Sequence, residues 1–367
     1  MIDARDRIVV GAAGGFTFWM FNALKALART PMAGHAPLEV LTLQRLQEIP
    51  PTEPGSPGRL LLTNYPTKQI LDALESTAVP LLYLHEPPEL GVAHAVRKGN
   101  VTPLVATRIA SASYVGNYVF AASNQVLTLS RDMPYRIADI LNAACRFLNI
   151  PVGEDALLRH AQTLEPDDGG DRSLDRSIEL AFPAAAATPL DDPQQWEEVQ
   201  ELSSKILEPL AGLMINADAQ PIRWPGRIFN IFHLDRLYDE FGPSIALEGP
   251  ARILFHGPYF YLPSGQYVAE FVTRFDDISV DNTFRVEVHA GAQCLARVRY
   301  KPGSSGWFRG SFEFAHSDVG AEIQIQTISD RGALDGTLSL WEFAFTQGNE
   351  AGPNIPIPAE IALPHSS

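Results

Sequence analysis

The period of the hydrophobic pattern changes near residue 220, and this change constrains the fold more than any other feature of the chain. Before it, short apolar runs such as 60–63 alternate with segments whose apolar residues recur at helical spacing, which predicts alternating strands and helices. After it, every second residue is apolar in 284–288 and 321–326, as in half-buried strands. Because 367 residues are too many for one ordinary core, the sequence predicts two domains.

The first predicted domain covers residues 1–219. Strands and helices that alternate along a chain form a mostly parallel sheet with helices on both faces, so we expect a three-layer α/β domain. A loop or linker is expected at 165–192, which contains Asp-Asp-Gly-Gly-Asp and a run of alanine and proline. A helix is expected at 193–215, with Asp192 as its N-cap.

The second predicted domain covers residues 220–348. Its short runs of alternating polarity, separated by turns rich in glycine, proline and serine, predict seven or eight antiparallel strands. Such strands form an all-β sandwich or jelly roll. The proline-rich tail at 349–367 is expected to be disordered.

Charge and cysteine content limit the partners and the compartment. A net charge of −15 repels phosphate backbones and acidic lipid, so we expect a glycan or small-molecule ligand and no nucleic acid. No segment has the ~20 uninterrupted apolar residues of a membrane span, and Asn22 and Lys25 argue against a secretory signal. Cys145 and Cys294 are flanked by apolar residues, which predicts buried free thiols and a cytoplasmic protein. The oligomeric state stays open.

A glycine-rich turn follows the first predicted strand and precedes the first helix. Gly14, Gly15, Phe16 and Thr17 occupy this place, where free backbone N–H groups and the helix dipole favour a bound phosphate. The turn lacks the second glycine and the lysine of a Walker A loop. Tight packing between strand and helix explains the same glycines, so the turn by itself leaves both interpretations open.

Four segments, in order, resemble the sulfotransferase family. They are the turn and helix at 14–24, the strand ends Leu-Leu-Thr-Asn-Tyr-Pro at 61–66 and Leu-Tyr-Leu-His-Glu-Pro-Pro-Glu at 82–89, and the strand and closing helix at 126–152. The resemblance covers about 8–164. It implies a sulfotransferase-like α/β fold and 3′-phosphoadenosine 5′-phosphosulfate as the cofactor, bound by the glycine-rich turn and by His85 at the position of the family's 3′-phosphate arginine.

The chain departs from the family pattern at the positions that carry out catalysis and bind the cofactor. Ala12 and Ala13 replace the cation that stabilises the leaving phosphate. Asn64 aligns with the histidine base, and an amide cannot accept the acceptor's proton near neutral pH. His85 and Ala93 replace an arginine and a serine of the 3′-phosphate site.

Three interpretations of this domain remain open: a divergent sulfotransferase or other group transferase with relocated residues, a pseudoenzyme that retains only binding, and a structural α/β domain. Residues close in sequence that could substitute for the lost ones are Arg97, Lys98, Arg108, Ser111 and Ser113. Basic residues after a helix are also ordinary solvated caps. The spacing of His85 and His94 does not place both on one helical turn, so no metal site is expected.

The second domain resembles, in general character, β-sandwich modules attached to bacterial glycan-modifying enzymes. Tyr259, Tyr261 and Trp307, together with Trp341, have flat faces on which sugars stack, although aromatic residues on strands are also common in cores. The acidic turn 276–282 offers oxygen ligands for calcium, or is simply solvated. The leading interpretation is a divergent sulfotransferase-like protein of bacterial glycan modification; the alternative is a non-catalytic carbohydrate-binding or scaffold protein.

Overall fold

The computed structural model describes residues 2–30, 38–42, 47, 49–53, 55–65, 68–75, 79–118, 126–134, 136–165, 174–214, 220–231, 236–239, 242–279 and 281–348. The predicted disordered tail at 349–367 lies outside the described residues. The chain divides into two compact units, Met1–Asp218 and Ala219–Ser367. We call them the α/β unit and the β unit and describe each by itself.

A parallel sheet of five strands forms the centre of the α/β unit, in the order β2-β3-β1-β4-β5. The strands are β1 (Arg7–Gly11), β2 (Glu39–Thr42), β3 (Arg59–Thr63), β4 (Leu81–His85) and β5 (Val126–Ser130). The apolar runs at 8–10, 60–62 and 81–84 are buried, as expected for strands covered on both faces. The parallel sheet with helices confirms the predicted α/β class, and it gathers the carboxyl ends of all five strands at one edge.

The helices of the α/β unit follow the strands in the predicted alternation. They are α1 (Gly15–Ala28), α2 (Lys68–Glu75), α3 (Pro88–Gly99), α4 (Pro103–Tyr118), α5 (Ile137–Phe147), α6 (Glu154–Leu164), α7 (Leu174–Ala181), α8 (Pro193–Leu202) and α9 (Glu208–Met214). Asp192 accepts hydrogen bonds from the backbone of Gln194 and Gln195 at the start of α8. A π-helical segment, Ser203–Leu207, joins α8 to α9.

One difference from the sequence expectation matters for the site. The stretch 165–192, expected to be a loop, contains α7 and a 3-10 turn, Pro183–Ala185. Leu174 and Ile178 of α7 are buried in the same core cluster as α1, α5 and α6. The surrounding glycines, aspartates and alanines hide this short apolar face from sequence patterns, and tertiary burial makes the segment helical.

The β unit contains two antiparallel sheets with the strand orders β13-β12-β15-β10-β7 and β14-β11-β16-β9-β8, and β6 also pairs with β16. The strands are β6 (Ile222–Pro225), β7 (Asn230–Ile231), β8 (Arg236–Asp239), β9 (Gly242–Ala246), β10 (Arg252–Phe260), β11 (Gly265–Asp276), β12 (Phe284–Ala290), β13 (Gln293–Tyr300), β14 (Gly306–His316), β15 (Ile323–Ser329) and β16 (Thr337–Gln347). We call the first sheet, which contains β12, β13 and β15, the arginine sheet.

Aromatic side chains of the two sheets meet in a common core. The ring of Phe275 on β11 lies 4.8 Å from that of Phe284 on β12, and Phe271 lies 5.2 Å from Tyr300 on β13. Facing sheets joined by such contacts are consistent with the predicted β-sandwich. The described residues include eleven strands rather than seven or eight, because short strands such as β7 carry too little pattern to be recognised.

The two cysteines are free, but only one is buried. Burial raises the pKa of Cys145, in α5, to about 12. Cys294 is exposed on β13, so the expectation of a second buried thiol was wrong. Its apolar neighbours belong to a strand at the sheet edge, where alternate side chains face solvent. Within the described part of the chain, no helix has the length and apolar character needed to cross a bilayer.

Candidate functional site

The predicted phosphate turn lies at the carboxyl edge of the parallel sheet, between β1 and α1. Gly14 is the N-cap of α1, with extended backbone (φ −151°) and no side-chain cap. The first N–H groups of a helix have no partner within the helix and carry partial positive charge. The start of α1 thus has the helix N-terminus that the phosphate interpretation requires, and whether an anion can bind there depends on the groups around it.

A carboxylate of the same chain approaches this turn. Glu86 directly follows β4, and its Oε1 atom accepts a long hydrogen bond, 3.4 Å, from the backbone N–H of Phe16. A Cβ atom added to Gly14 would lie only 1.7 Å from Oε2 of Glu86. The Glu86 carboxylate thus lies against the glycines, in the position where this kind of turn would receive a phosphate.

Arg131 fixes the Glu86 carboxylate. It directly follows β5, and its Nη1 atom donates to Oε1 of Glu86 across 2.5 Å. Both side chains are only 1% exposed. Nε donates to Asp175 of α7 (2.7 Å), and Nη2 donates to the carbonyl oxygen of Ala185 (3.1 Å). Arg131 therefore joins the strand edge to the segment that was expected to be a loop.

The charges of this network support one another. Burial by itself lowers the pKa of Arg131, but the carboxylates of Glu86 and Asp175 outweigh burial and raise it. Burial raises the pKa of Glu86, and the charge of Arg131 opposes that rise. An arginine that stays protonated next to a buried carboxyl group favours an ion pair. Arg131 therefore forms ion pairs with Glu86 and Asp175.

The segment containing α7 and the 3-10 turn covers the glycine-rich turn. A Cβ atom on Gly15 would lie 2.1 Å from Cβ of Ala185 and 3.1 Å from Cγ2 of Ile178. Arg97 of α3 holds this segment by donating to the carbonyl oxygens of Ala184 (3.3 Å) and Ala186 (2.8 Å). The glycines at this turn are therefore required by close packing as well as by any ligand.

The predicted site residues of the α/β unit are distributed around this network. Thr17 is fully buried in the first turn of α1, and its Oγ1 atom has no partner among the described residues. His85 ends β4, and burial lowers its pKa. Asn64 follows β3, where its carbonyl oxygen accepts a hydrogen bond from Ser113 (2.7 Å). These residues share the carboxyl edge of the sheet.

The residues proposed as substitutes serve local structure. Arg97 binds backbone carbonyls, and Lys98 lies 4.8 Å from the ring centre of Phe18, as in a cation–π contact. Ser111 donates to the carbonyl oxygen of Arg108 within α4 (2.8 Å). Burial lowers the pKa of His94 in α3. The charges of Lys98, Arg131 and Arg97 lower the pKa of His94 further, and each of these three cations already has a contact within the unit.

The described turn does not fit the cofactor that the resemblance implies. One feature suits a phosphate, the buried Thr17 hydroxyl group, which has no partner among the described residues. Against it, Glu86 brings a negative charge to the backbone N–H group of Phe16, and Ala185 packs on Gly15. A cavity of about 740 Å³ in this unit is lined by residues of α5, of α6 and of the loop between them, and contains no residue of the turn.

The predicted carbohydrate-stacking residues of the β unit lie on two different sheets. Tyr259 is on β10 of the arginine sheet, where its hydroxyl group lies 2.7 Å from Nδ1 of His256 and 3.2 Å from Nε2 of Gln324. The Tyr261 hydroxyl donates to Glu322 (3.3 Å). Trp307 is on β14 of the other sheet, with its ring 6.4 Å from that of Trp341. The three predicted residues therefore do not share one face.

An arginine-rich groove of about 810 Å³ lies on the solvent face of the arginine sheet. Glu287 of β12 lies at its centre, 2.9 Å from Nε of Arg285 and 2.6 Å from Nε of Arg297. Asp330 lies 3.3 Å from Nη1 of Arg285 and 3.1 Å from Nε of Arg299. Burial raises the pKa of Glu287, but hydrogen bonds from His289 and Arg297 outweigh it, so its pKa lies below the ordinary value.

Two groups of potential metal ligands occur in the β unit. Glu287, His289 and Cys294 place ligand atoms within 4.8 Å of one another, although no metal site was expected. Two guanidinium groups already contact Glu287, and their positive charge opposes a cation there. In the acidic turn, Asp276 pairs with Arg274 (3.1 Å) and Asp281 with Lys301 (3.2 Å), which suits a solvated turn better than a calcium loop.

Comparisons with known proteins give fold-level likenesses. No family model and no curated protein matches this chain. Solved structures with similar folds include a mouse sulfotransferase complexed with PAP, with 13% identity and a TM-score of 0.37 over 59% of this chain and 90% of that one. Both kinds of protein that the sequence resembles are represented, since carbohydrate-binding modules match as well.

One of these modules is the C-terminal CBM6 of a laminarinase from Zobellia galactanivorans, with 16% identity and a TM-score of 0.26 over 35% of this chain and all of that one. Another is a CBM36 module in complex with calcium and xylotriose, with 11% identity and a TM-score of 0.25 over 34% of this chain and 98% of that one. Likenesses of this size say nothing about ligand or activity, which must come from the residues of this chain.

Sequence reasoning missed Glu86, Arg131 and the arginine-rich groove. A signal for the first pair was present, because Glu86 and Arg131 each come directly after a strand of the predicted parallel sheet. The register pairs His85 with Ser130, so the next residue of each strand lies at the same edge. A signal for the groove was the alternation Arg285-Val-Glu287-Val and Arg297-Val-Arg299, which places these charges on one face.

Proposed function

We propose that this chain is a non-catalytic glycan-binding protein. In this proposal, the α/β unit keeps a transferase-like framework without the donor site, and the β unit binds the carbohydrate. The observation that carries the proposal is the position of the Glu86 carboxylate. It lies against the glycines at the start of α1 and is held there by a buried ion pair with Arg131.

The chemistry of transfer is also poorly supported. Sulfuryl transfer needs positive charge at the leaving phosphate and a base at the acceptor hydroxyl. Ala12 and Ala13 supply no charge, and the amide of Asn64 is no base. Arg131, a buried cation that contacts both Glu86 and Ala185 beside the turn, is engaged by two carboxylates. The divergent-transferase alternative would require the Glu86–Arg131 pair to open before a donor could bind.

Carbohydrate binding is supported by the solvent face of the arginine sheet. His256, Tyr259 and Gln324 form a hydrogen-bonded group there, and Gln326 lies on the same face two residues along β15. Such a face offers donors and acceptors to sugar hydroxyl groups, and tyrosine rings suit the apolar faces of sugars. Tyr259 and Tyr261 are thus proposed to contact the glycan, whereas Trp307 lies on the other sheet and is left out.

Calorimetry with 3′-phosphoadenosine 5′-phosphate tests the first half of the proposal. We expect no heat of binding to the full chain at near-millimolar ligand. The informative variant is Thr17→Val, which removes a buried hydroxyl group of the turn while preserving its shape. Its matched control is Thr163→Val on α6, where the hydroxyl group donates to the carbonyl oxygen of His160 in the same helix. Heat in the unsubstituted protein and in the control, but not in Thr17→Val, would overturn the proposal.

A glycan array tests the second half. The full chain should retain a subset of glycans, and Tyr259→Ala or Tyr261→Ala should weaken retention about threefold to tenfold by removing a stacking face. Tyr65→Ala, in the α/β unit, is the control for loss of an exposed tyrosine. Absence of any retained glycan, or equal retention by all of these variants, contradicts glycan binding by the arginine sheet.

A further inference from the structure

The arginine-rich groove concentrates positive charge on a chain that is strongly acidic overall. Five arginines and two carboxylates line it, in a protein whose net charge is −15. The arginines are Arg252, Arg285, Arg297, Arg299 and Arg331. The charge of the groove is therefore positive, opposite in sign to the net charge of the protein. The groove favours an anion, whereas the rest of the chain repels one.

The ion pairs in the groove organise the guanidinium groups without covering them. Arg297 and Arg299 contact their carboxylates through Nε, while 58% and 67% of their side chains remain exposed. A guanidinium group has five N–H donors in a fixed plane, so donors remain for a ligand. Because Glu287 and Asp330 already hold these side chains, a ligand would lose less rotamer freedom by ordering them.

The groove continues into the hydrogen-bonding face described above. The register places Glu287 opposite Gln326 and His289 opposite Gln324, and Gln324 contacts Tyr259 on the next strand. From β13 to β10 this face spans three strand spacings, roughly 14 Å. Cations and neutral hydrogen-bonding groups therefore alternate over a length that suits a short oligomer rather than a single small anion.

We propose that the groove binds an acidic polysaccharide, with Arg297 and Arg299 contacting its carboxylate or sulfate groups and the glutamine–tyrosine face contacting its hydroxyl groups. This inference rests on the proposed glycan-binding function and specifies the class of glycan. Arginine pairs with both carboxylate and sulfate in a two-point geometry. Duplex DNA offers phosphate groups but lacks the free sugar hydroxyl groups that the glutamine–tyrosine face would contact, so we expect it to bind less tightly.

Binding to matched polymers tests the inference. The probes are dextran, dextran sulfate of the same chain length, polygalacturonate and duplex DNA, each titrated against the full chain. We expect dextran sulfate or polygalacturonate to bind at least about tenfold more tightly than dextran. Raising NaCl from about 50 to about 500 mM should remove most of that difference, because salt screens exposed charges.

Variants locate the site. Arg297→Ala/Arg299→Ala should weaken binding of the acidic polymer about tenfold or more, and Arg297→Lys/Arg299→Lys should retain part of it, because lysine keeps the charge but loses the planar fork. Arg309→Ala is the control; it removes an arginine that pairs with Glu270 on the other sheet (3.3 Å) and should leave binding unchanged. Thermal unfolding of each variant identifies any loss of fold, and the salt series on the unsubstituted protein does not depend on the variants.

The remaining outcomes distinguish failure of the acidic specificity from failure of glycan binding itself. Equal binding of dextran and both acidic polymers would refute the acidic specificity and leave the proposed function standing. Binding of duplex DNA as tightly as the acidic polymers would show that the groove responds to charge alone and would also refute it. Failure of every glycan, on the array and in these titrations, would refute the proposed function itself.

Discussion

The two units each contain a network of arginines and carboxylates, and the networks differ in how deeply their arginines are buried. In the α/β unit, Arg131 and Glu86 are each 1% exposed and lie against the glycine-rich turn at the start of α1. In the β unit, Arg297 and Arg299 are mostly exposed and line an open groove. The same pair of residue types therefore completes the interior of one unit and offers a surface to ligands in the other.

This comparison shows that an arginine near a predicted site indicates ligand binding only if its side chain is exposed to solvent. A buried charge must keep its partner, because several kcal/mol of lost hydration are recovered only by that partner. In the groove the arginines are exposed, while Glu287 and Asp330 are only 7% and 15% exposed and each also pairs with Arg285. Arg297 or Arg299 can therefore turn to a ligand without leaving a carboxylate unpaired, and an exposed ion pair contributes only about 0–1 kcal/mol. The predictions below test this difference, beginning with the largest effect.

Arg131→Met should destabilise the α/β unit by about 3–5 kcal/mol, because it leaves the buried Glu86 carboxylate without its partner. Urea unfolding followed by circular dichroism measures the change. Arg299→Met, at the exposed network, is the matched control and should change stability by less than about 1 kcal/mol. Equal effects of the two substitutions would remove the distinction between the networks.

Restoring neutrality should recover most of that loss. In Arg131→Met/Glu86→Leu, apolar side chains replace both members of the pair, and buried pairs replaced in this way are often neutral in stability. We expect the double variant to be at least about 2 kcal/mol more stable than Arg131→Met alone. A double variant as unstable as the single one would indicate that Arg131 stabilises the unit through Asp175 and Ala185 rather than through Glu86.

Gly14→Ala should cost about 1–3 kcal/mol, because its Cβ atom would overlap the Glu86 carboxylate at the covered turn. Gly91→Ala in α3 is the control, since no atom lies within 4 Å of the added Cβ. That substitution should stabilise the helix by about 0.4–1 kcal/mol. If Gly14→Ala left the free energy of unfolding unchanged, the Glu86 carboxylate would not occupy the turn in solution.

Mild acid should affect the α/β unit more than the β unit. Burial lowers the pKa of His85, His94 and His160 in the first unit and of His256 in the second. A lowered histidine pKa means that the unfolded chain binds the proton first, so stability is present above about pH 6.5 and falls below it. Hydrogen exchange with mass spectrometry, between about pH 7.5 and 5.5, should show the larger loss of protection in α3 and β4.

His94→Gln should reduce this slope in the α/β unit, because it removes one of the groups that takes up a proton on unfolding. Glu287 provides the contrast in the β unit. Its lowered pKa contributes stability that is present above the ordinary glutamate range, near pH 4.3, and is lost only in stronger acid. If the β unit lost hydrogen-exchange protection at a higher pH than the α/β unit, the histidines of the α/β unit would not be the acid-sensitive groups.

Much of the architecture could be predicted from the sequence because it depends on local pattern. The apolar runs of β3 and β4 and the alternation in β12 record which faces are buried, and strand or helix follows from that period. The segment of α7 could not be predicted in this way. Only Leu174, Ser177 and Ile178 are buried in it, which is too few for a pattern, and the core they enter is built by distant elements.

The candidate sites show the same limit. The sequence by itself determined the glycine-rich turn, the presence of alanines rather than basic residues at positions 12 and 13, and the change of period near residue 220. Tertiary structure decided that Glu86 reaches the turn, that Arg131 is buried with it, and that Arg285, Arg297 and Arg299 share one groove. The physical reason is that charge acts through distance and desolvation, and both are set by how separate strands are brought together.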